Sequence, residues 1–392
     1  MRLNIGVIFG GESIEHEMSI LSSCEVMSYM DDTKYNVIPI YIGKDGVWYT
    51  GAHLKDIINY RDIALVKRYA KKVSLVKEGK AVILKSFGLI PKKLFVIDIF
   101  FPIGHGNNLE DGTIQGYLNT LGLPYIGSGV KASVLGIDKI LTKEILNYYN
   151  IPTSNFCSFN EDEYLNNKKD VMTRINKLKY PIYIKPSTLG SSIGIVKVEK
   201  EEEIHIAIKE ALGFSKTILV EEEIKNTKEV CVSVLGDSEK QEISNVEDVC
   251  CSKALNNKYS KIKCLLNEKY IEKCHKSIKE KKDNKNPIIS KEMLEDMKKY
   301  AKDIFKIIGA SGVAKIDFLI DEKNKKIFVS EIDTNPGSLC IATWNNMKKT
   351  PEELIKDLID IAVKNKEKQK DIVTSFPTNL LENYDIELEN KK

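Results

Sequence analysis

The chain alternates between short, mostly apolar runs and longer segments whose apolar residues recur at helical spacing. Asn4–Phe9 and Val37–Ile42 are apolar runs of strand length. The first closes on Gly10-Gly11, and the second leads through the turn Lys44-Asp45-Gly46 into Val47–Tyr49. A helix is predicted from Ser13. Leu94–Pro102, LFVIDIFFP, reads as one strand buried on both faces. Residues 1–127 therefore read as an open-sheet α/β domain.

Farther along, a helix-rich section is predicted from Ser133 to Tyr149. Strands are predicted at Pro181–Lys185 and Ile193–Val198, on either side of a Gly/Ser loop. A helix over Glu201–Leu212 and strands at Ile218–Glu222 and Val230–Leu235 come next. Met293, Leu294, Met297, Ala301, Ile304 and Phe305 recur with a period near 3.6 and predict a helix to Ile308. Val313–Ile320 and Lys326–Ile332 predict a hairpin around Asp321–Lys325, and Pro351–Ala362 a last helix. The expected organisation is an N-terminal domain (1–127), a central domain (128–216), a C-terminal domain (217–366) and a charged tail (367–392).

Composition removes several classes. Of 392 residues, 42% are hydrophobic and 29% charged, which excludes wholesale disorder. Fifty-nine basic against 56 acidic residues leave +3, so charge gives no ground for nucleic acid or a membrane surface as partner. No apolar stretch approaches the roughly 20 residues of a membrane span, and the first residues do not read as a signal peptide. A cytoplasmic location is expected. The eight cysteines contain no CxxC. Cys250, Cys251, Cys264, Cys274 and His275 share one stretch, but their spacing fits no zinc-finger pattern, and small buried hydrophobes are expected instead. The lysine-rich segment 258–285 reads as a solvated face.

Three features carry chemistry. The loop between Lys185 and Gly194, PSTLGSSI, can turn backbone N–H groups toward an anion. The hairpin, taken as centred near Asn324, sets Asp317 opposite Glu331 and Lys315 opposite Asp333, all on one face. Carboxylates so placed within apolar strands need a cation, and Mg²⁺ suits carboxylates combined with phosphate oxygens. Thr334-Asn-Pro-Gly-Ser338 follows at once, with N–H groups and a hydroxyl suited to an oxyanion.

Taken in order, GVIFGGESIEHEMS, FPIGHGNNLEDGTIQG, LPYIGSG, DKILTK, IKPSTLGSSIGI, ILVEEEI and KIDF…EIDTNPGS resemble the D-alanine–D-alanine ligase family of the ATP-grasp superfamily, over about residues 3–365. The resemblance implies an ATP-grasp fold of three α/β domains and a dimer formed through the first. It implies ATP with Mg²⁺ (or Mn²⁺), small D-amino acid substrates and an acylphosphate intermediate, in the synthesis of a cell-wall precursor. It assigns Glu15 to the first substrate's ammonium, with His105 and Gly106 lining that pocket. Lys139 and Lys185 fall to the phosphates, and Ser191 and Ser192 to the phosphate loop. Glu221 and Ile224 flank adenine, and Glu229 takes the ribose. Lys258 and Tyr259 match the lysine–tyrosine pair of the family's mobile loop. Asp317, Glu331 and Asp333 would bind metal, Lys315 would face the intermediate, and Gly337 and Ser338 would contact the intermediate and second substrate.

The chain departs from the family at four places. Lys315 stands where the family has arginine, and Asp333 where it usually has asparagine; facing each other, they read as an ion pair that replaces an Arg–Asn contact. Leu109 replaces a glycine. The segment VCCSKALNN before Lys258 and the lysine-rich stretch after it are remade. These departures leave two alternatives beside D-alanyl-D-alanine synthesis: a ligase for another second substrate such as D-serine or in a specialised biosynthetic role, and a nucleotide-binding homologue of weak activity.

Overall fold

The computed structural model describes residues 2–225, 227–248 and 289–378. Three sheets organise them. The first has seven strands: β1 (Leu3–Gly10), β2 (Tyr35–Ile42), β3 (Trp48–Thr50), β4 (Lys71–Glu78), β5 (Ala81–Ser86), β6 (Lys93–Ile97) and β7 (Ile99–Pro102). Their order is β6-β5-β4-β3-β2-β1-β7, with β1 parallel to both β2 and β7. Helices α1 (His16–Ser28), α2 (Ile63–Tyr69) and α3 (Thr113–Leu121) accompany it.

The run Leu94–Pro102, expected as one doubly buried strand, is two. Asp98 breaks it and accepts a hydrogen bond from the Asn4 amide at 2.8 Å. Before it, β6 pairs antiparallel with β5 and is half exposed; after it, β7 is wholly buried beside β1. A single acid among apolar residues was the only sign of this bend. The hairpin β4–β5 was not predicted either.

The helix-rich section resolves into α4 (Val130–Ile137) and α5 (Lys139–Tyr148). Asp138 between them caps α5, its carboxylate accepting from the Ile140 and Leu141 amides. The second sheet comprises β8 (Phe156–Asn160), β9 (Ile182–Pro186), β10 (Val196–Val198) and β11 (Thr217–Glu222), antiparallel in the order β10-β9-β11-β8. Ile175 of α7 (Lys168–Ile175) and Ile204 and Ile208 of α8 (Ile204–Leu212) bury its outer face, with α6 (Glu161–Asn166) beside them. The boundary expected at 216/217 falls just ahead of β11, which bonds into this sheet.

The third sheet holds β12 (Thr227–Gly236), β13 (Gln241–Ile243), β14 (Glu247–Asp248), β15 (Gly312–Asp321) and β16 (Lys326–Asp333). Helix α9 (Lys291–Ile308) lays Met297, Ala301, Ile304, Phe305 and Ile308 onto Val230, Val232, Ile316 and Phe318, as its periodicity predicts. Ser290 caps it. After α10 (Ile341–Asn346), α11 (Pro351–Lys368) starts with a Thr350–Glu353 capping box and runs on into the expected tail. Lys364 and Lys368 hold that last part by pairing with Asp237 and Glu239. Its buried face (Leu354, Ile355, Leu358) and Trp344 share one core with Ile5, Val7 and Phe9 of β1. Helix α11 thus packs on the first sheet, and the site lies between all three.

Candidate active site

The β15–β16 hairpin carries the acids in register: Lys315 pairs with Asp333, and Asp317 with Glu331. A bulge makes this so. The strands pair as Phe318 with Val329 near the turn, then skip Ser330. Without the extra residue Asp317 would face Ser330, and Glu331 and Asp333 would point into the core. On the other side β12 sets Ser233 beside Lys315 and Cys231 beside Asp317, with Glu229, half-buried, two residues before Cys231 on the same face.

Lys315 does not pair with Asp333 as expected. Its Nζ turns along its own strand to Asp317 Oδ2 at 3.0 Å. Lys139, the first residue of α5, donates to Glu331 Oε1 at 2.7 Å and to the Leu189 carbonyl at 2.8 Å. Burial opposes charge on both lysines, but the facing carboxylates outweigh it and raise their pKa values. Burial raises Asp317, and pushes Asp333 up to about 6. Glu331 is held below the usual range, Lys139 overcoming its burial. Asp317 Oδ1 is buried without a partner. Among the described residues no three acids, histidines or cysteines form a ready-made metal cluster. The hard oxygen donors facing each other, one of them orphaned, nonetheless suit a divalent cation.

Across from the hairpin, Glu221 of β11 is buried between two lysines. Oε2 receives Lys143 Nζ at 2.8 Å and the Ser154 hydroxyl at 2.9 Å; Oε1 pairs with Lys185 of β9. These lysines outweigh burial and depress the Glu221 pKa. Glu221 thus contributes a charge clamp that its expected place beside adenine did not suggest. Ile224 is half-buried just past β11.

The loop after Lys185 turns through left-handed backbone at Ser191, Ser192 and Gly194 (φ 51°, 54° and 72°). This carries the Ser191 hydroxyl onto Glu15 Oε1. Glu15 sits just ahead of α1; its other oxygen is buried and unpartnered. A Cβ on Gly106 or Gly190 would lie 3.2 Å from that oxygen, so the glycines keep the space beside it open. Burial, then Glu110, raises the Glu15 pKa. His105 bonds Ser22 Oγ through Nε2 at 3.0 Å and lies 3.7 Å from Glu110 Oε2. Burial opposes its charge, yet Glu110 raises its pKa. Gly337 faces the same imidazole: a Cβ there would lie 3.8 Å from Nε2. The Ser338 hydroxyl donates to Glu25, and Asn335 Nδ2 donates to the Gly104 carbonyl at 2.6 Å. Leu109 is fully buried and fills the space beside Gly11 and Gly104.

The structure therefore gathers Glu15, His105, Gly106, Lys139, Lys185, Ser191, Glu221, Lys315, Asp317, Glu331, Asp333 and Gly337 around one cleft. Lys258 and Tyr259 lie outside the described residues, as do Cys250, Cys251, Cys264, Cys274 and His275. Lys143, Glu110 and Glu25 were missed. Only Lys143 carried a signal, its i, i+4 spacing from Lys139 on one helix face.

Two sheets facing each other over buried lysines and an acidic hairpin have the ATP-grasp architecture. The D-ala D-ala ligase N-terminus family matches residues 4–128, and the D-ala D-ala ligase C-terminus family matches residues 145–361. A D-alanine--D-alanine ligase of Thermosipho melanesiensis is 35% identical over 97% of this chain and 98% of its own. In fold, the chain is similar to the D-alanine-D-alanine ligase from Coxiella burnetii, with TM-score 0.76 at 24% identity over 99% of both chains. It is also similar to the VanG D-Ala:D-Ser ligase from Enterococcus faecalis, with TM-score 0.75 at 24% identity over 92% of this chain and 100% of that one. The chain belongs to the D-alanine–D-alanine ligase family, ATP-dependent carboxylate–amine ligases.

Proposed function

We propose that this protein joins two molecules of D-alanine at the expense of ATP, for a peptidoglycan precursor. The carboxylate of the first attacks the γ-phosphate, giving an acylphosphate and ADP. The amine of the second then attacks the acyl carbon and expels phosphate. The contact between Ser191 and Glu15 carries the reading, because it sets the loop that would cover the phosphates directly on the acid that would receive the first amine.

In this scheme the orphaned oxygen of Glu15 accepts the ammonium and aims the first carboxylate at the nucleotide. Lys139 and Lys185 leave Glu331 and Glu221 for the phosphates, while N–H groups at Ser191 and Ser192 add donors. Ile224 and Glu229 border the nucleoside. Lys315 faces the acylphosphate as a point charge rather than an arginine's planar fork. The turn at Gly337 and Ser338 receives the second substrate, and Lys258 and Tyr259 would close the cleft. Magnesium, held by Asp317, Glu331 and Asp333, would offset phosphate charge.

The reading extends to domain limits, with the second boundary moved from 216/217 to the link between β11 and β12. It extends to a cytoplasmic homodimer, supported by exposed Ile58, Leu65 and Tyr69 on the N-terminal unit. Among the described residues no helix is long and apolar enough to cross a membrane.

The test is turnover with ATP, Mg²⁺ and D-alanine, alone and paired with other D-amino acids, reading phosphate and product mass together. D-alanyl-D-alanine from D-alanine alone is expected. A mixed product such as D-alanyl-D-serine in preference would overturn the choice of second substrate. Nucleotide binding without phosphate release would overturn the activity.

A further inference from the structure

Lys143 is a buried lysine that the reaction scheme does not use. Its side chain is 3% exposed, and Nζ makes three contacts: Thr153 Oγ1 at 2.7 Å, Ser154 Oγ at 2.8 Å and Glu221 Oε2 at 2.8 Å. Glu221 is itself 10% exposed and has its other oxygen on Lys185. One buried carboxylate thus serves two lysines, and the cluster carries one positive charge more than neutrality needs.

That surplus has a consequence. A buried carboxylate stripped of its only cation is strongly destabilised. If Lys185 were the sole partner of Glu221, it could not leave for a phosphate without exposing that cost. With Lys143 fixed on Oε2, Glu221 stays neutralised whichever way Lys185 turns. Lys143 cannot make the same move: it is pinned by two hydroxyls, one of which, Thr153, also bonds the Val329 carbonyl of β16. Burial lowers its pKa against the pull of Glu221, but the three acceptors around it suit a three-donor ammonium.

We infer that Lys143 is a positioning residue for nucleotide binding: it is the resident counter-ion of Glu221 that releases Lys185 to the phosphates of ATP. The inference rests on the reading of Lys185 as a phosphate ligand.

The experiment measures dissociation constants for ATP and for adenosine, by calorimetry on the full chain, in wild type, Lys143→Met, Glu221→Gln, Lys185→Met and the double variant Lys143→Met/Glu221→Gln. In Lys143→Met, Lys185 is trapped on Glu221, so ATP should weaken by about tenfold or more while adenosine stays within about twofold. Removing the trapping charge should undo this: the double variant should bind ATP within about threefold of Glu221→Gln alone. A structural role would predict otherwise, with ATP and adenosine weakened together and no rescue; that pattern overturns the inference. So does unchanged ATP binding in Lys143→Met. If Lys143→Met does not fold, wild-type-like discrimination between ATP and adenosine in Lys143→Gln, which retains a hydrogen-bonding amide but no charge, overturns it equally. Should Lys185→Met bind ATP as wild type does, the underlying reading of Lys185 fails instead, and the two failures are distinguishable.

Discussion

Asp333 shows what one carboxylate contributes where the family resemblance implies an amide. Its Oδ1 accepts from the Asn335 amide at 2.9 Å, which an asparagine oxygen would also do. Burial pushes its pKa up to about 6, so the folded protein holds a proton that the unfolded chain releases near pH 4. Stability from this group is therefore full below pH 4 and falls as pH rises through about 6. Asp333→Asn should raise the melting temperature by roughly 2–5 °C at pH 7.5 in EDTA, with little gain at pH 4.5. An equal gain at both pH values would mean that the buried charge is not the cause. At this scale the sequence was informative about which residues gather at the cleft and less so about their partners. Lys315, Asp317, Glu331 and Asp333 stand out as charges in apolar strands, yet Lys315 chose Asp317 over Asp333. Side-chain direction along a strand is not set by register.

Helix α4 and the end of β16 meet at Gly136. A Cβ there would lie 2.7 Å from Thr334 Cγ2, and Thr334 opens the turn that carries Gly337 and Ser338. Alanine would gain about 1 kcal/mol of helix propensity over glycine, but must push a buried, β-branched neighbour. Gly136→Ala should therefore leave the melting temperature nearly unchanged while lowering kcat/KM by about tenfold, through a shifted turn. Steady-state kinetics beside a thermal melt would check it; equal loss of stability and activity would count against it. Elements with strong periodicity were legible before the structure, α9 and the β15–β16 hairpin above all. Those set by a single residue were not. Asp98 divides one apolar run into two strands, and Asp138 divides one helical section into two helices. The continuation of α11 to Lys368 depends on Asp237 and Glu239, more than a hundred residues earlier, so it read as charged tail.

Across the molecule, the cleft is closed by side chains that reach between units far apart in sequence. Ser191 meets Glu15, Lys139 meets Glu331, and Asn335 meets Gly104. The first ties the expected nucleotide loop to the expected D-alanine pocket, so each ligand should favour binding of the other. With a non-hydrolysable ATP analogue present, D-alanine should bind the wild type about tenfold more tightly; in Ser191→Ala this factor should shrink toward one. An undiminished factor would place the coupling elsewhere. The motif order made this assembly foreseeable in outline. What it could not convey was Lys143, whose spacing fits an ordinary solvated helix face until Glu221 is seen against it.

The skipped residue in β16 bears on how this hairpin can vary among relatives. Ser330 contributes through its place in the count, since any side chain there would keep Glu331 and Asp333 in step with Asp317 and Lys315. The exposed turn at 322–325 can change length without disturbing the strands below it. Loss of one residue between Val329 and Glu331 would invert the sides on which the acids stand, exchanging active site for core in one event. Natural variation in this segment should thus be rich in substitutions and poor in single-residue gaps: its constraint is one of length.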